Sequence, residues 1–120
     1  HGLGGYHPTV NSALAKYFDQ ARPLFGIQAL GLDGKNLPHT SIEEMASFYI
    51  SEIKKIESKG PYLIGGVCLG GSIAFEIAQQ LKQQGDQVLS LVMVDSPRPF
   101  LNEKEVGFLA DIITQQSQVL

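Results

Sequence analysis

One stretch of the chain, residues 61–81, constrains the possible fold more than any other. Residues 62–67 form a short apolar run, which predicts a buried strand. After it, apolar residues recur at the spacing of a helix as far as Leu81. Cys68 lies between the two patterns, in the sequence Gly-Val-Cys-Leu-Gly. The stretch therefore predicts a strand that turns sharply into a helix at Cys68.

The glycines on either side of Cys68 suit such a turn. A strand that reverses into a helix crowds its backbone, so the residues two places before and after the corner must be small. Gly66 and Gly70 meet that requirement. The turn also places Cys68 at the positive end of the following helix, which favours a thiolate. These features are typical of a nucleophile elbow, with cysteine where serine is usual. From this stretch alone, an inert core thiol and a phosphate-binding loop remain alternatives.

The composition is that of a globular domain. Of 120 residues, 43% are hydrophobic and 18% charged, which is enough apolar sequence for one small core. The net charge is −3 and no basic stripe is interleaved with aromatic residues, so nucleic acid is not a predicted partner. No apolar run could span a bilayer and no signal peptide is recognisable, so no membrane association is predicted.

Cysteine and histidine usage limits the chemistry further. The single cysteine cannot form an internal disulfide, which fits the reducing cytoplasm that we predict as the location. No cysteine and histidine residues have the spacing of metal ligands, so no metal site is predicted.

The clearest predicted helix begins at Thr40. Thr40 and Glu43 have the spacing of a capping box, in which each side chain bonds the other residue's backbone N–H. Gly60 and Pro61 end the helical pattern. The predicted buried face consists of Ile42, Met45, Ala46, Tyr49, Ile53 and Ile56.

The remaining pattern alternates strands with helices. We predict helices over 11–18 and 102–120, a short strand over 24–28, a loop over 31–39, a left-handed cap at Gly85 and a strand over 88–94. This order predicts an α/β fold, a parallel sheet with helices on both faces. Because ligands gather at the carboxyl ends of parallel strands, the glycine-rich residues 1–5, Cys68 and Asp95 would meet at one edge.

Eight segments, in this order and spacing, carry a resemblance to a known family: residues 1–5, 23–28, 31–34, 40–46, 60–66, 66–70, 74–78 and 94–96. In these segments the chain resembles the thioesterase domains of nonribosomal peptide and polyketide synthases, within the α/β-hydrolase superfamily. The resemblance covers most of residues 1 to 100. It implies that 1–120 is the N-terminal portion of such a domain, with the lid region beginning near residue 100.

The resemblance also implies roles for four residues. Cys68 would take an acyl or peptidyl chain from the 4'-phosphopantetheine thioester of a carrier protein, and the chain would then be released by hydrolysis or cyclisation. Asp95 would orient the catalytic histidine; its alternative role is to cap the turn before Pro97. The backbone N–H groups of Leu3 and Leu69 would form the oxyanion hole, although Leu3 could equally serve loop packing. No cofactor would bind directly, and the partner would be a carrier protein within the same synthase.

Three features depart from the family pattern. The catalytic histidine of the family follows the lid, but the last histidine here is His39. His1 would belong to the oxyanion loop, and His7 and His39 are predicted to be solvated loop residues. The strand that should precede His1 is also missing, so we expect residues 1–120 alone to be insoluble or molten.

Cysteine in place of serine is the third departure. Serine would convert a thioester into a less reactive oxoester, whereas Cys68 would keep the acyl group as a thioester and favour its transfer to an amine, hydroxyl or thiol. The sequence is equally compatible with an engineered replacement that traps an acyl-enzyme.

Three other functions compete with acyl release by a synthase. One is a stand-alone editing thioesterase, and the second is a non-catalytic module of the same fold that binds an acyl ligand. The third, a mononucleotide-binding fold, lacks both the P-loop lysine and the full glycine spacing.

Overall fold

The computed structural model describes residues 16–17, 21, 23–32 and 34–96. Within them the chain forms helix α1 (Ile42–Ile56), strand β1 (Tyr62–Val67), helix α2 (Leu69–Gln83) and strand β2 (Val88–Val94). The two strands pair in parallel. The predicted α/β architecture is therefore confirmed. The predicted helix over 102–120 and all but two residues of the one over 11–18 lie outside the described residues.

Helix α1 begins one residue later than predicted. Ser41 is its N-cap and accepts a hydrogen bond of 3.1 Å from the backbone N–H of Glu44. The hydroxyl of Thr40 instead donates to the Glu44 carboxylate, at 3.4 Å. The sequence offers two overlapping caps of the same spacing, Thr40 with Glu43 and Ser41 with Glu44. The prediction was wrong because the cap at Ser41 forms instead of the one at Thr40.

The core lies between the two helices and the start of β1. Helix α1 packs against α2, and α2 packs against both strands. The buried cluster consists of Ala46, Tyr49, Ile50, Tyr62, Ile73, Ile77 and Leu81. Ile50 was not predicted to be buried, and Ile56, which was, is 63% exposed. At that end, α1 meets the end of α2 through a polar contact, because Lys54 bonds Asp86 at 2.6 Å.

The end of α2 matches its prediction. Gly85 has a φ of +85°, the left-handed conformation that glycine adopts most easily. Its N–H donates to the carbonyl oxygen of Lys82 at 3.1 Å, and that of Asp86 donates to Leu81 at 2.9 Å. These two bonds define a Schellman motif, which satisfies the last carbonyl groups of the helix.

The strand pair has one covered face. Among the described residues, α2 covers the face that includes Tyr62 and Ile64, whereas Leu63, Val67, Val92 and Val94 are exposed on the other. The predicted cover on both faces of β2 is therefore not seen in this part of the chain. The predicted strand over 24–28 is also wrong for the described residues, where 23–30 pair with no other strand. A strand needs a hydrogen-bonded neighbour, and its local sequence does not supply one.

Candidate active site

Cys68 is the single residue between β1 and α2. Its backbone has φ 55° and ψ −126°, a conformation that costs a residue with a Cβ roughly 1–3 kcal/mol. Two hydrogen bonds hold it there. Its N–H donates to the carbonyl oxygen of Val94 at 2.9 Å, and its own carbonyl accepts from Gly71 at 2.9 Å. The thiol is exposed, which excludes the alternative of an inert core thiol.

The glycines of the turn are required by close contacts. A Cβ at Gly66 would overlap the backbone carbonyl of Gly70. A Cβ at Gly71 would overlap the side chain of Ser96. Gly66 and Gly70 were singled out by their spacing from Cys68. The contact between Gly71 and Ser96 was not predicted, because no local pattern joins residues so far apart in sequence.

Asp95 lies next to this corner. Val67 and Val94 are register partners at the ends of β1 and β2, so Cys68 and Asp95 each follow one strand at the same edge of the sheet. Asp95 is exposed and has a φ of 49°, so it too adopts a conformation that is uncommon for a residue with a side chain. The two candidate reactive residues are thus neighbours across the strand pair, both on strained backbone.

The first turn of α2 supplies the positive electrostatics of the site. Cys68 is its N-cap and makes no side-chain capping bond, and no acidic residue lies in the first turn. The N–H groups that begin a helix have no partner within the helix, and the helix dipole adds partial positive charge there. The Leu69 N–H is one of these groups, so it is available to an oxyanion beside Cys68. The second predicted donor, Leu3, lies outside the described residues.

His39 differs from its prediction, and the other histidines lie outside the described residues. The His39 ring is half-buried and packs on Phe48 and Tyr49, with centroid distances of 5.1 and 6.1 Å. It therefore packs with two aromatic residues from the middle of α1 and is not a solvated loop residue. In the part of the chain that the structure describes, no three His, Cys, Asp or Glu side chains form a group that could hold a metal ion. None of the described helices has the length and apolar character needed to cross a bilayer.

The fold and the corner at Cys68 are those of the α/β-hydrolase class, and comparison with known proteins gives the family. The family model for the thioesterase domain matches residues 1–111. The chain belongs to the thioesterase domain family.

Its relatives are large synthases. The chain is 51% identical over 76 residues to polyketide synthase PksR of Bacillus subtilis, covering 63% of the chain and 3% of that protein. It is 41% identical over 96 residues to the inactive atromentin synthetase invA6 of Paxillus involutus, covering 76% of the chain and 10% of that protein. The chain thus spans a tenth or less of the length of these relatives.

Two solved structures share the fold. A four-domain nonribosomal peptide synthetase, AB3403, crystallised with AMP and glycine, matches with a TM-score of 0.72 and 39% identity, covering 83% of this chain and 8% of that one. The thioesterase domain of NocB, in covalent complex with a fluorophosphonate nocardicin G analogue, matches with a TM-score of 0.56 and 26% identity. That match covers 75% of this chain and 41% of the NocB chain.

Proposed function

We propose that this chain belongs to a synthase thioesterase domain that uses Cys68 as its nucleophile. The thiolate attacks the carbonyl carbon of an acyl or peptidyl thioester on the 4'-phosphopantetheine of a carrier protein, and the phosphopantetheine thiol leaves. The acyl group is then held as a thioester on Cys68. Water releases it as an acid, or a nucleophile of the acyl chain closes a ring, and either step regenerates the thiol.

One observation carries this proposal: an exposed thiol is held on a strained corner beside a carboxylate from the next strand. Strained backbone costs free energy, and it persists where surrounding contacts fix it, commonly at active sites. The covalent complex of the NocB thioesterase domain supports the proposal, because that domain carries a group that reacts with a fluorophosphonate nocardicin G analogue. The synthases among the relatives support a carrier protein as the partner.

The other residues take supporting roles in the proposal. The N–H of Leu69, with that of Leu3, would hold the oxyanion, and Gly66 and Gly70 make room for the corner. Asp95 would orient a histidine base, but the sequence after His39 holds no histidine. The Cys-His-Asp assignment therefore remains a prediction. Cytoplasmic location, a lid from about residue 100 and the absence of a directly bound cofactor remain predictions as well.

The experiment uses the complete synthase or its complete thioesterase domain. A pantetheine-linked acyl substrate is added, and the acyl-enzyme is sought by intact mass and peptide mapping. We expect the acyl adduct on Cys68. Alkylation of Cys68 by iodoacetamide should prevent both the formation of this adduct and the release of product. Cys68→Ala should lower release at least 1,000-fold, because removing a nucleophile of this kind removes most of the catalysis. Ser58→Ala, an exposed change outside the site, is the control. Full activity of Cys68→Ala, or full activity of protein whose Cys68 has been alkylated, would refute the assignment.

A second candidate is suggested by the inactive synthetase among the relatives. In that case the domain would bind an acyl chain without releasing it. Iodoacetamide would still modify the exposed Cys68, but the acyl adduct would not turn over. A stand-alone editing thioesterase is distinguished by the preceding sequence, since a synthase domain should follow a carrier domain.

A further inference from the structure

The side chain of Ser96 lies directly against the first turn of α2. A Cβ built at Gly71 would overlap both the Oγ and the Cβ of Ser96. Only a glycine hydrogen therefore fits between them. Ser96 follows Asp95, and Gly71 follows the corner at Cys68 by three residues, so the contact joins the two halves of the candidate site.

A shared hydrogen-bond acceptor reinforces this contact. The carbonyl oxygen of Val94 accepts the Cys68 N–H at 2.9 Å and the Ser96 hydroxyl at 3.2 Å. Asp95, with its φ of 49°, lies between Val94 and Ser96. Strained backbone persists only when its surroundings over-determine it. Here the preceding carbonyl is bonded to the corner, and the following side chain is fixed against α2.

We infer that Ser96 is a positioning residue. Through its contact with Gly71, it fixes the Asp95 carboxylate relative to the Cys68 thiol. This inference rests on the proposed function, in which the Cys68 thiol attacks the acyl chain and Asp95 orients the base. The reaction rate depends steeply on the positions of the reacting groups, because a displacement of about 1 Å can lower it roughly 100-fold. A methyl group at Gly71 must displace Ser96, and Asp95 moves with it.

The test compares Gly71→Ala with Gly65→Ala in the complete domain. At Gly65 the nearest neighbour of a new Cβ is the Val92 carbonyl oxygen at 3.4 Å, an ordinary contact. We expect Gly71→Ala to lower kcat for acyl release at least 10-fold with KM unchanged, and Gly65→Ala to change it less than threefold. The rate at which iodoacetamide modifies Cys68 should change less than threefold in both variants, since that reaction does not need Asp95.

A double variant separates positioning from simple loss of structure. Ser96→Gly removes the overlapping atoms together with the positioning hydroxyl, so the double variant Gly71→Ala, Ser96→Gly should have nearly the kcat of Ser96→Gly alone, rather than the product of two separate losses. The Gly66 carbonyl oxygen, 3.3 Å from the new Cβ, must shift slightly in either case, so the two kcat values need not be equal. Ser96→Ala keeps the Cβ but removes the Oγ, which is both the nearer atom to Gly71 and the donor to Val94, so we expect a three- to tenfold lower kcat. Ser96→Ala also decides the matter if Gly71→Ala does not fold.

Three results would overturn the inference: a kcat of Gly71→Ala equal to that of Gly65→Ala, a Gly71→Ala change that lowers kcat by the same factor in the Ser96→Gly background as in the unmodified domain, or a Ser96→Ala domain with unchanged kcat. If the unmodified domain has no activity, the proposed function fails, and the backbone amide resonance of Asp95 becomes the readout. It should move when Gly71→Ala is made in the unmodified domain, and move less when the same change is made in Ser96→Gly. An unmoved resonance would then overturn the positioning role on its own.

Discussion

At the scale of single residues, the corner at Cys68 shows why one turn both exposes a side chain and requires small neighbours. The residue at the corner must project its side chain away from the backbone, so it takes a positive φ. The backbone around it closes up, and Gly66 comes so near to Gly70 that no Cβ fits between them. The exposed side chain at the corner and the glycines beside it are two results of one geometry.

A substitution pair tests this close approach. Gly66→Ala should lower the free energy of unfolding by about 3 kcal/mol, because the overlapping atom belongs to rigid backbone. Gly65→Ala, the same change one residue earlier, should cost less than about 1 kcal/mol because its new Cβ makes ordinary contacts. Denaturant unfolding of the complete domain measures both. Equal losses in the two variants would show that the turn does not require the contact.

At the scale of elements, the end of α1 is tied to the strands by polar contacts around Tyr62. Its hydroxyl donates to the carbonyl oxygen of Glu57 at 2.8 Å, while Lys54 bonds Asp86 at 2.6 Å and Gln84 at 2.7 Å. Burial raises the pKa of Tyr62, the nearby Asp86 carboxylate raises it further, and Lys54 partly opposes the change. The phenol is therefore held in its protonated, donating form.

This raised pKa gives a pH prediction. Unfolded tyrosine loses its proton near pH 10 and folded Tyr62 at higher pH, so its contribution to stability is complete below pH 10 and is lost as pH rises through the folded pKa. The free energy of unfolding should therefore fall more steeply above pH 10 in the unmodified domain than in Tyr62→Phe. Burial also raises the pKa of Tyr49, so the difference between the two proteins isolates the share of Tyr62. Parallel curves would contradict this. At pH 8, Tyr62→Phe should itself be about 1 kcal/mol less stable because the hydrogen bond is lost.

Local sequence predicted those elements whose ends are marked locally. Both strands have their predicted bounds, since each is a continuous apolar run, and Gly85 marks the end of α2. The sequence also placed Cys68 and Asp95 at neighbouring strand ends, because chain order fixes where parallel strands finish. It could not choose between the overlapping caps at Thr40 and Ser41. Local sequence does not predict contacts between distant segments. It therefore predicted neither the contact between Gly71 and Ser96 nor which strands pair.

At the scale of the whole molecule, the uncovered face of the strand pair is the main feature of the described residues. Leu63, Val67, Val92 and Val94 form an apolar surface there, and each is between 42% and 55% exposed. Parallel sheets are normally covered on both faces, because their strands are apolar on both sides. An exposed surface of this kind favours association or loose packing.

Residues 1–120, expressed without further sequence, should therefore bind a hydrophobic dye and unfold without a sharp transition. Dye fluorescence and a thermal melt followed by near-ultraviolet circular dichroism measure this. Leu63→Thr with Val92→Thr should reduce dye binding, whereas Leu37→Thr, at an exposed leucine in the loop before α1, should not. A cooperative melt with no dye binding would contradict the expectation.

The bond between the Cys68 N–H and the last carbonyl of β2 has a consequence for how such a domain can vary. The relative position of the Cys68 and Asp95 backbones depends on this hydrogen bond between strand ends and on the contact between Ser96 and Gly71, rather than on any connecting segment. Insertions, deletions or substitutions in the connecting segments 31–39 and 57–61 do not affect that hydrogen bond. If Cys68 and Asp95 act as proposed, these links can therefore change, and selectivity with them, while the two candidate residues keep their relative position.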